Sequence, residues 1–201
     1  MFIKTHDKRI ITPAEHRQMI SYFKKTSGTE RLYQLYLLIR YTGLRISEAL
    51  ALNVGDVFDG YEIRRSCTVV CAKKRNSIKN RTVSLCSKND KLRLELWDFL
   101  RQDSSSPAFI DPETPVFRTA TGNRWDRTNC SHDLAKAVVA AGVAPFSWHD
   151  LRHSYGTELY ESTKDMELVQ AALGHEDTRT TRGYVQRPLA HLHAVNVHLA
   201  A

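Results

Sequence analysis

The sequence predicts an α+β fold, mostly helical, with one small antiparallel sheet. Two observations point there. Apolar residues recur at helical spacing in several capped stretches, and two β-rich runs, 61–72 and 78–85, adjoin one another across a short turn. Adjoining strands argue against the alternating βαβ pattern of a parallel sheet.

Taken in order, residues 1–11 show no periodic pattern and read as a tail or linker. Thr12-Pro13-Ala14-Glu15 is a capping box with proline at the first helical position, so a helix should run to about 25 and stop at Ser27-Gly28. A second helix is expected over 30–41, with Leu32, Leu35, Leu38 and Ile39 at core spacing and Thr42-Gly43 as its break. Residues 47–52 form a short helix packed through Ala49, Leu50 and Leu52, and 53–60 are turn-rich. The two strands follow, joined by a turn that holds Arg75, Asn76 and Ser77. A helix over 89–100 carries Leu92, Leu96 and Leu100 on one stripe; 103–115 is a loop rich in Ser and Pro. Residues 116–118 suggest a short third strand, Thr121-Gly122 a turn, and 128–141 a helix capped by Thr128. Short helices fill 148–185, and 188–199 looks like a last helix. The expected organisation is a tail (1–11), one domain (12–187) and a helical tail (188–201).

Composition narrows the function. The chain has 201 residues and a formal net charge of +7, which favours a polyanionic partner. Its basic residues are densest at Lys73-Lys74-Arg75 and Lys79-Asn80-Arg81, so that Arg75, Lys79 and Arg81 offer phosphate contacts, although a solvated hairpin tip would look the same. The 4 cysteines, Cys67, Cys71, Cys86 and Cys130, form no CxxC pair and no zinc spacing. With no signal peptide and no apolar run of membrane length, they read as reduced thiols of a cytoplasmic protein without a membrane partner. No glycine-rich phosphate loop is present, which argues against ATP use, and no acidic cluster marks a two-metal site. His191 and His193 would face apart on a helix, so no metal site and no cofactor is expected. Ser154 near His149 and Asp150 lacks the elbow of a serine hydrolase.

The stretch 148–185 concentrates the chemistry. His149 and Arg152 are three residues apart, so on a helix they share a face, with His153 beside them. Leu173-Gly174-His175 follows, its glycine a helix stop, and Tyr184 lies nine residues beyond His175. A phenol following a basic cluster suggests attack on a phosphate. Tyr155, three residues beyond Arg152, and Tyr160 are competing phenols on the same helix.

These residues resemble the tyrosine recombinases, or phage integrases. Thr42-Gly43-Leu44-Arg45-Ile46-Ser47-Glu48 looks like the first arginine box; Lys73-Lys74 lies where the family places a hairpin lysine; His149-Asp150-Leu151-Arg152-His153 looks like the second box; and Leu173-Gly174-His175 with Tyr184, preceded by Thr180-Thr181, looks like the third histidine and the nucleophile. The resemblance spans about 9–187. It implies a catalytic set of Arg45, Lys73, His149, Arg152, His175 and Tyr184, with Lys74 as the alternative lysine and Glu48 and His153 as supporting residues. It implies double-stranded DNA as partner, a 3′-phosphotyrosyl intermediate formed without ATP or metal, a tetramer on DNA in which 188–201 passes between protomers (the alternative being that it folds back on its own domain), and a bacterial or phage source. A DNA-relaxing enzyme of the type IB topoisomerase kind and a non-catalytic DNA-binding regulator are the competing expectations. Family members usually carry an N-terminal helical domain that clamps the other face of DNA; the short segment before Thr12 fits a catalytic domain alone or a naturally short relative.

The chemistry has a physical rationale. Guanidinium forks bind phosphate oxygens bidentately and stay charged at any working pH. Tyrosine is a poor nucleophile because its pKa is about 10, and nearby cations lower it.

Overall fold

The computed structural model describes residues 9–71, 79–102 and 110–174. Eight α-helices and one two-stranded sheet are formed among them. In chain order they are α1 (Pro13–Lys25), α2 (Glu30–Thr42), α3 (Ile46–Ala51), the one-turn α4 (Val54–Val57), β1 (Ser66–Cys71), β2 (Lys79–Ser84), α5 (Lys91–Arg101), α6 (Arg127–Ala140), α7 (Trp148–Thr163) and α8 (Met166–Leu173). The α+β expectation holds, and helices dominate.

The organising element is α2. Every residue from Leu32 to Thr42 is buried, so α2 is a core helix covered on all sides rather than an amphipathic surface helix. It packs against α5 and α7. The leucine stripe read from the sequence is therefore only part of its buried surface. Two polar residues on its other faces reach partners: Arg40 forms a two-pronged pair with Glu158 of α7, Nη1 to Oε2 at 2.8 Å, and Tyr33 donates to Glu95 Oε1 at 2.8 Å.

The predicted helix starts hold where capping chemistry fixed them. Thr12 and Glu15 exchange bonds at the head of α1, and Pro13 is its first residue. Three expectations are corrected. First, α6 is capped by Asp126, whose side chain accepts from the N–H groups of Thr128 and Asn129, so the helix starts one residue before Thr128. Second, 116–118 do not add a third strand: among the described residues the sheet has two strands, β1 and β2, antiparallel with Val69 opposite Arg81. Neighbouring residues make only isolated bridges, Asn53 with Pro115 and Arg118 with Arg124. Third, β1 begins at Ser66 rather than at Tyr61, because Ile63 bridges back to Phe58 and the chain bends there. The described part of the segment read as a tail is docked: Ile11 is fully buried and its N–H donates to Ser154 Oγ at 2.8 Å, while Arg9 pairs with Glu15 and donates to Pro145 O at 2.9 Å. Ser154 itself donates to Asp150 O, so its hydroxyl is structural. Cys67, Cys86 and Cys130 are free thiols, all buried. The predicted helix over 188–199 lies outside the described residues, and no described helix is long and apolar enough to cross a membrane.

His16 of α1 is buried against α2. Its Nδ1 lies 2.9 Å from the Tyr36 hydroxyl and its Nε2 3.1 Å from that of Tyr41. Burial, with Arg40, Lys91 and Arg17 nearby, pushes its pKa down to about 3. The folded state therefore holds His16 neutral while the unfolded chain protonates it near the ordinary histidine value. Below that value the unfolded state binds the extra proton, so stability falls as pH drops from about 6.5 towards 3. Urea titrations of the wild type should show this fall, and His16→Gln, which cannot take the proton, should flatten the dependence across that window.

Candidate active site

The site is built at the ends of three helices. Gly43 ends α2 in the left-handed region with φ 65°. A side chain is excluded there twice over: the backbone conformation disfavours one, and a Cβ would sit 2.3 Å from Tyr155 Cδ1. Leu44 is fully buried, and the chain then turns into α3 through Arg45. Glu48, three residues on, reaches back. Its Oε2 accepts the Arg45 backbone N–H at 2.8 Å and its Oε1 accepts Arg45 Nη1 at 2.7 Å.

Two more arginines meet the same carboxylate. Arg81 of β2 donates through Nη2 to Glu48 Oε2 at 2.7 Å, and Arg152 Nη1 of α7 lies 3.8 Å from that oxygen. Burial works to raise the Glu48 carboxyl, but Arg81 and the bonds from Arg45 outweigh it, and the group titrates below its ordinary value. Glu48 is thus an anion shared by three guanidiniums.

The same three arginines also cap α8. Arg81 Nη1 donates to Ala172 O at 2.6 Å, Arg152 Nη2 donates to Leu173 O, and Arg45 Nη2 lies 3.5 Å from Gly174 O. Arg152 Nη1 additionally donates to Gly43 O at 2.5 Å. Carbonyls at a helix C-terminus lack intrahelical partners and carry the negative end of the helix dipole, so cations belong there. Gly174 closes α8 in the left-handed region with φ 61°, as its place in the sequence predicts. His175 is the next residue and lies outside the described set.

The structure thus brings together Arg45, Arg81, Arg152 and Glu48. Their exposures differ: the Arg45 side chain is 41% exposed, that of Arg81 10% and that of Arg152 4%. His149 is exposed on the first turn of α7, one turn before Arg152, and His153 is half-buried beside it. Lys79 opens β2. Lys73, Lys74, Arg75, His175 and Tyr184 lie outside the described residues, as do His191, His193 and His198. Among the described residues no three His, Cys, Asp or Glu side chains come together as metal ligands. Of the competing phenols, Tyr155 is buried at 2% exposure against Gly43, while Tyr160 is exposed.

The sequence reading missed two features. The carbonyls of Gly43 and 172–174 are backbone groups, and no residue type signals them. The inward turn of Arg81 had a signal: on a strand it shares a face with Val83, which is buried, while Asn80 and Thr82 point to solvent.

Comparison with known proteins identifies the family. A family model described as the phage integrase family matches residues 9–190. The chain therefore belongs to that family, whose members are the tyrosine recombinases. It is 31% identical over 179 residues to a tyrosine recombinase XerC from Herpetosiphon aurantiacus, covering 88% of this chain and 55% of that protein. It is 28% identical over 160 residues to a tyrosine recombinase XerH from Campylobacter jejuni, covering 79% of this chain and 42% of that protein. The chain spans about half the length of the curated relatives it matches. Among solved structures, the XerA recombinase superimposes with TM-score 0.68 at 18% identity, covering 98% of this chain and 61% of the other. XerH bound to its difH substrate superimposes with TM-score 0.62 at 22% identity, covering 91% and 51%. These likenesses establish the shared fold.

Gly43→Ala tests the geometry directly. It forces a side chain into the left-handed region and onto the Tyr155 ring, and should lower folding stability by at least about 2 kcal/mol. The urea midpoint should fall with little change in slope.

Proposed function

We propose that this chain is the catalytic part of a site-specific DNA recombinase or integrase, which cleaves and rejoins double-stranded DNA through a phosphotyrosine and needs neither ATP nor a metal. The observation that carries this reading is the meeting of the two arginine boxes at one carboxylate and one helix end, immediately before His175.

In the proposed reaction, Tyr184 Oη bonds to the phosphorus and the bond from phosphorus to the 5′ oxygen breaks. His149 takes the phenol proton, and the Lys73 ammonium delivers a proton to the leaving oxygen. His175 donates to a non-bridging oxygen. A phosphodiester carries one negative charge, and attack by a phenolate builds a second. Arg45 and Arg152 bring two guanidiniums beside that position. That supplies electrostatic stabilisation from fixed side chains. Glu48 and His153 orient the set. Arg75, in the sequence between β1 and β2, and Lys79, the first residue of β2, serve as phosphate contacts. The phosphotyrosine conserves the energy of the broken bond, so reversal by a 5′ hydroxyl rejoins the strand. Exchange between two duplexes cuts four strands with one tyrosine each, which calls for four protomers. In this reading the segment 188–201 passes to a neighbouring protomer.

A nicked suicide duplex carrying the cognate site tests the central step. Tyr184→Phe should abolish the denaturant-resistant protein–DNA adduct while DNA binding stays near wild type. Tyr155→Phe should keep the adduct. Relaxation of plasmid without strand exchange would favour a topoisomerase, and no adduct from the wild type would favour a DNA-binding regulator.

The lysine is tested separately. Lys73→Ala should slow cleavage by about 10²–10⁴-fold, the range for losing one positioned proton donor. A substrate with sulfur in place of the bridging 5′ oxygen has a leaving group that needs no proton, and should recover most of that loss. Recovery by Lys74→Ala instead assigns the role to Lys74.

A further inference from the structure

We infer that Arg81 is a positioning residue, which anchors the return strand of the lysine hairpin to the arginine pair, and that it does not contact DNA phosphate; the inference rests on the strand-cleaving function proposed above. Arg81 lies on β2, opposite Val69 of β1, and the chain between these strands carries Lys73 and Lys74. Its guanidinium bonds Glu48 Oε2 through one nitrogen and Ala172 O through the other, at 2.7 and 2.6 Å. One side chain therefore joins three segments: the hairpin, the first arginine box and the end of α8 that leads to His175. The Arg81 side chain is only 10% exposed, and both its terminal nitrogens are engaged by these partners.

Stability alone does not account for this arrangement. Glu48 already has Arg45 at 2.7 Å, and the α8 terminus already has Arg152. A third guanidinium adds repulsion among like charges, and its Nε is buried with no partner among the described residues. The element that Arg81 alone brings to the cluster is β2. A slip of the strand by one residue would turn Arg81 to the solvent face and break both bonds. The tether thus fixes hairpin register relative to Arg45 and Arg152. A displacement near 1 Å at a reacting group can cost about 10²-fold in rate.

The test uses Arg81→Met, similar in length but without donors, and Arg81→Lys, which keeps the charge but replaces the two-nitrogen fork that spans Glu48 and Ala172 with a single nitrogen. Single-turnover cleavage should slow about tenfold or more in Arg81→Met and less in Arg81→Lys. DNA affinity should stay within about twofold of wild type, with an unchanged salt slope. The sulfur-bridged substrate should recover most of the loss, because the defect lies in the lysine's delivery of a proton. Weakened binding with a salt slope reduced by about one would mark a phosphate contact and overturn the inference. Unchanged cleavage, or a loss that sulfur does not reduce, overturns it too. If Arg81→Met does not fold, Arg81→Lys carries the same outcomes. Hydrogen exchange separates this inference from the function it rests on. The amides of 80–84 and 172–174 should exchange about tenfold or more faster in either variant, even if the wild type forms no adduct, and unchanged exchange would sink the tether.

Discussion

A single buried carboxylate sets the geometry of this site. Three guanidiniums brought to one place repel one another, and in a partly buried setting that repulsion is not screened by water. Glu48 makes the convergence possible: it sits at 6% exposure between Arg45, Arg81 and Arg152. Removing one partner of such a buried set leaves uncompensated charge, at a cost of about 3–5 kcal/mol. Replacing the whole set by apolar residues of equal volume would often be neutral for stability. The physical return on this buried charge is therefore position.

The arginines are aimed as well as gathered. Guanidinium is planar with donors in a fixed fork, so two bonds in different directions define its orientation. Arg152 is fixed in this way by the carbonyls of Gly43 and Leu173, and Arg81 by Glu48 and Ala172. These carbonyls come from helix ends, where backbone acceptors are unused by the helix. Two left-handed glycines make the ends available. Gly43 turns the chain out of α2 beneath Tyr155, and Gly174 ends α8 with its last carbonyls facing the arginines. Because α2 is buried from Leu32 to Thr42, the Gly43 corner is held at the end of a core helix.

The fold was legible in the sequence wherever a local rule decided it. The Thr12 capping box, the Gly43 and Gly174 stops and the adjoining strands each follow from a few neighbouring residues. Some mistakes fall where distant parts decide, others in a choice between neighbours. The 116–118 segment has strand-like composition, but its neighbours Asn53 and Arg124 come from separate loops and provide single bridges rather than a ladder. Asp126 outcompetes Thr128 as a cap because its carboxylate accepts two N–H groups at once. At the site, residue types and order revealed the two arginine boxes. They did not reveal that Glu48 serves three arginines, since Arg81 is 33 residues away on a strand. The run Lys79-Asn80-Arg81 looks uniformly basic and exposed, whereas strand alternation assigns Asn80 to solvent and Arg81 to the interior.

The unequal exposure of the arginines follows from the same network and bears on how an anion would be received. Arg152 is nearly buried and held by two carbonyls, so its orientation is set before any ligand arrives. Arg45 has Glu48 on one side, but its contact with Gly174 O is long, at 3.5 Å, and its side chain is 41% exposed. On the proposed reading Arg45 is the group that meets a phosphate first, with little to give up. Arg152 then supplies a field that needs no rearrangement, because Gly43 and Leu173 already fix it. Fixed dipoles and charges stabilise developing charge more effectively than groups that must reorient during the reaction. The division of labour, one exposed cation at the surface and one preset behind it, comes from how many helix-end carbonyls each arginine holds. The sequence pattern that places both arginines does not contain that number; the ends of α2 and α8 do.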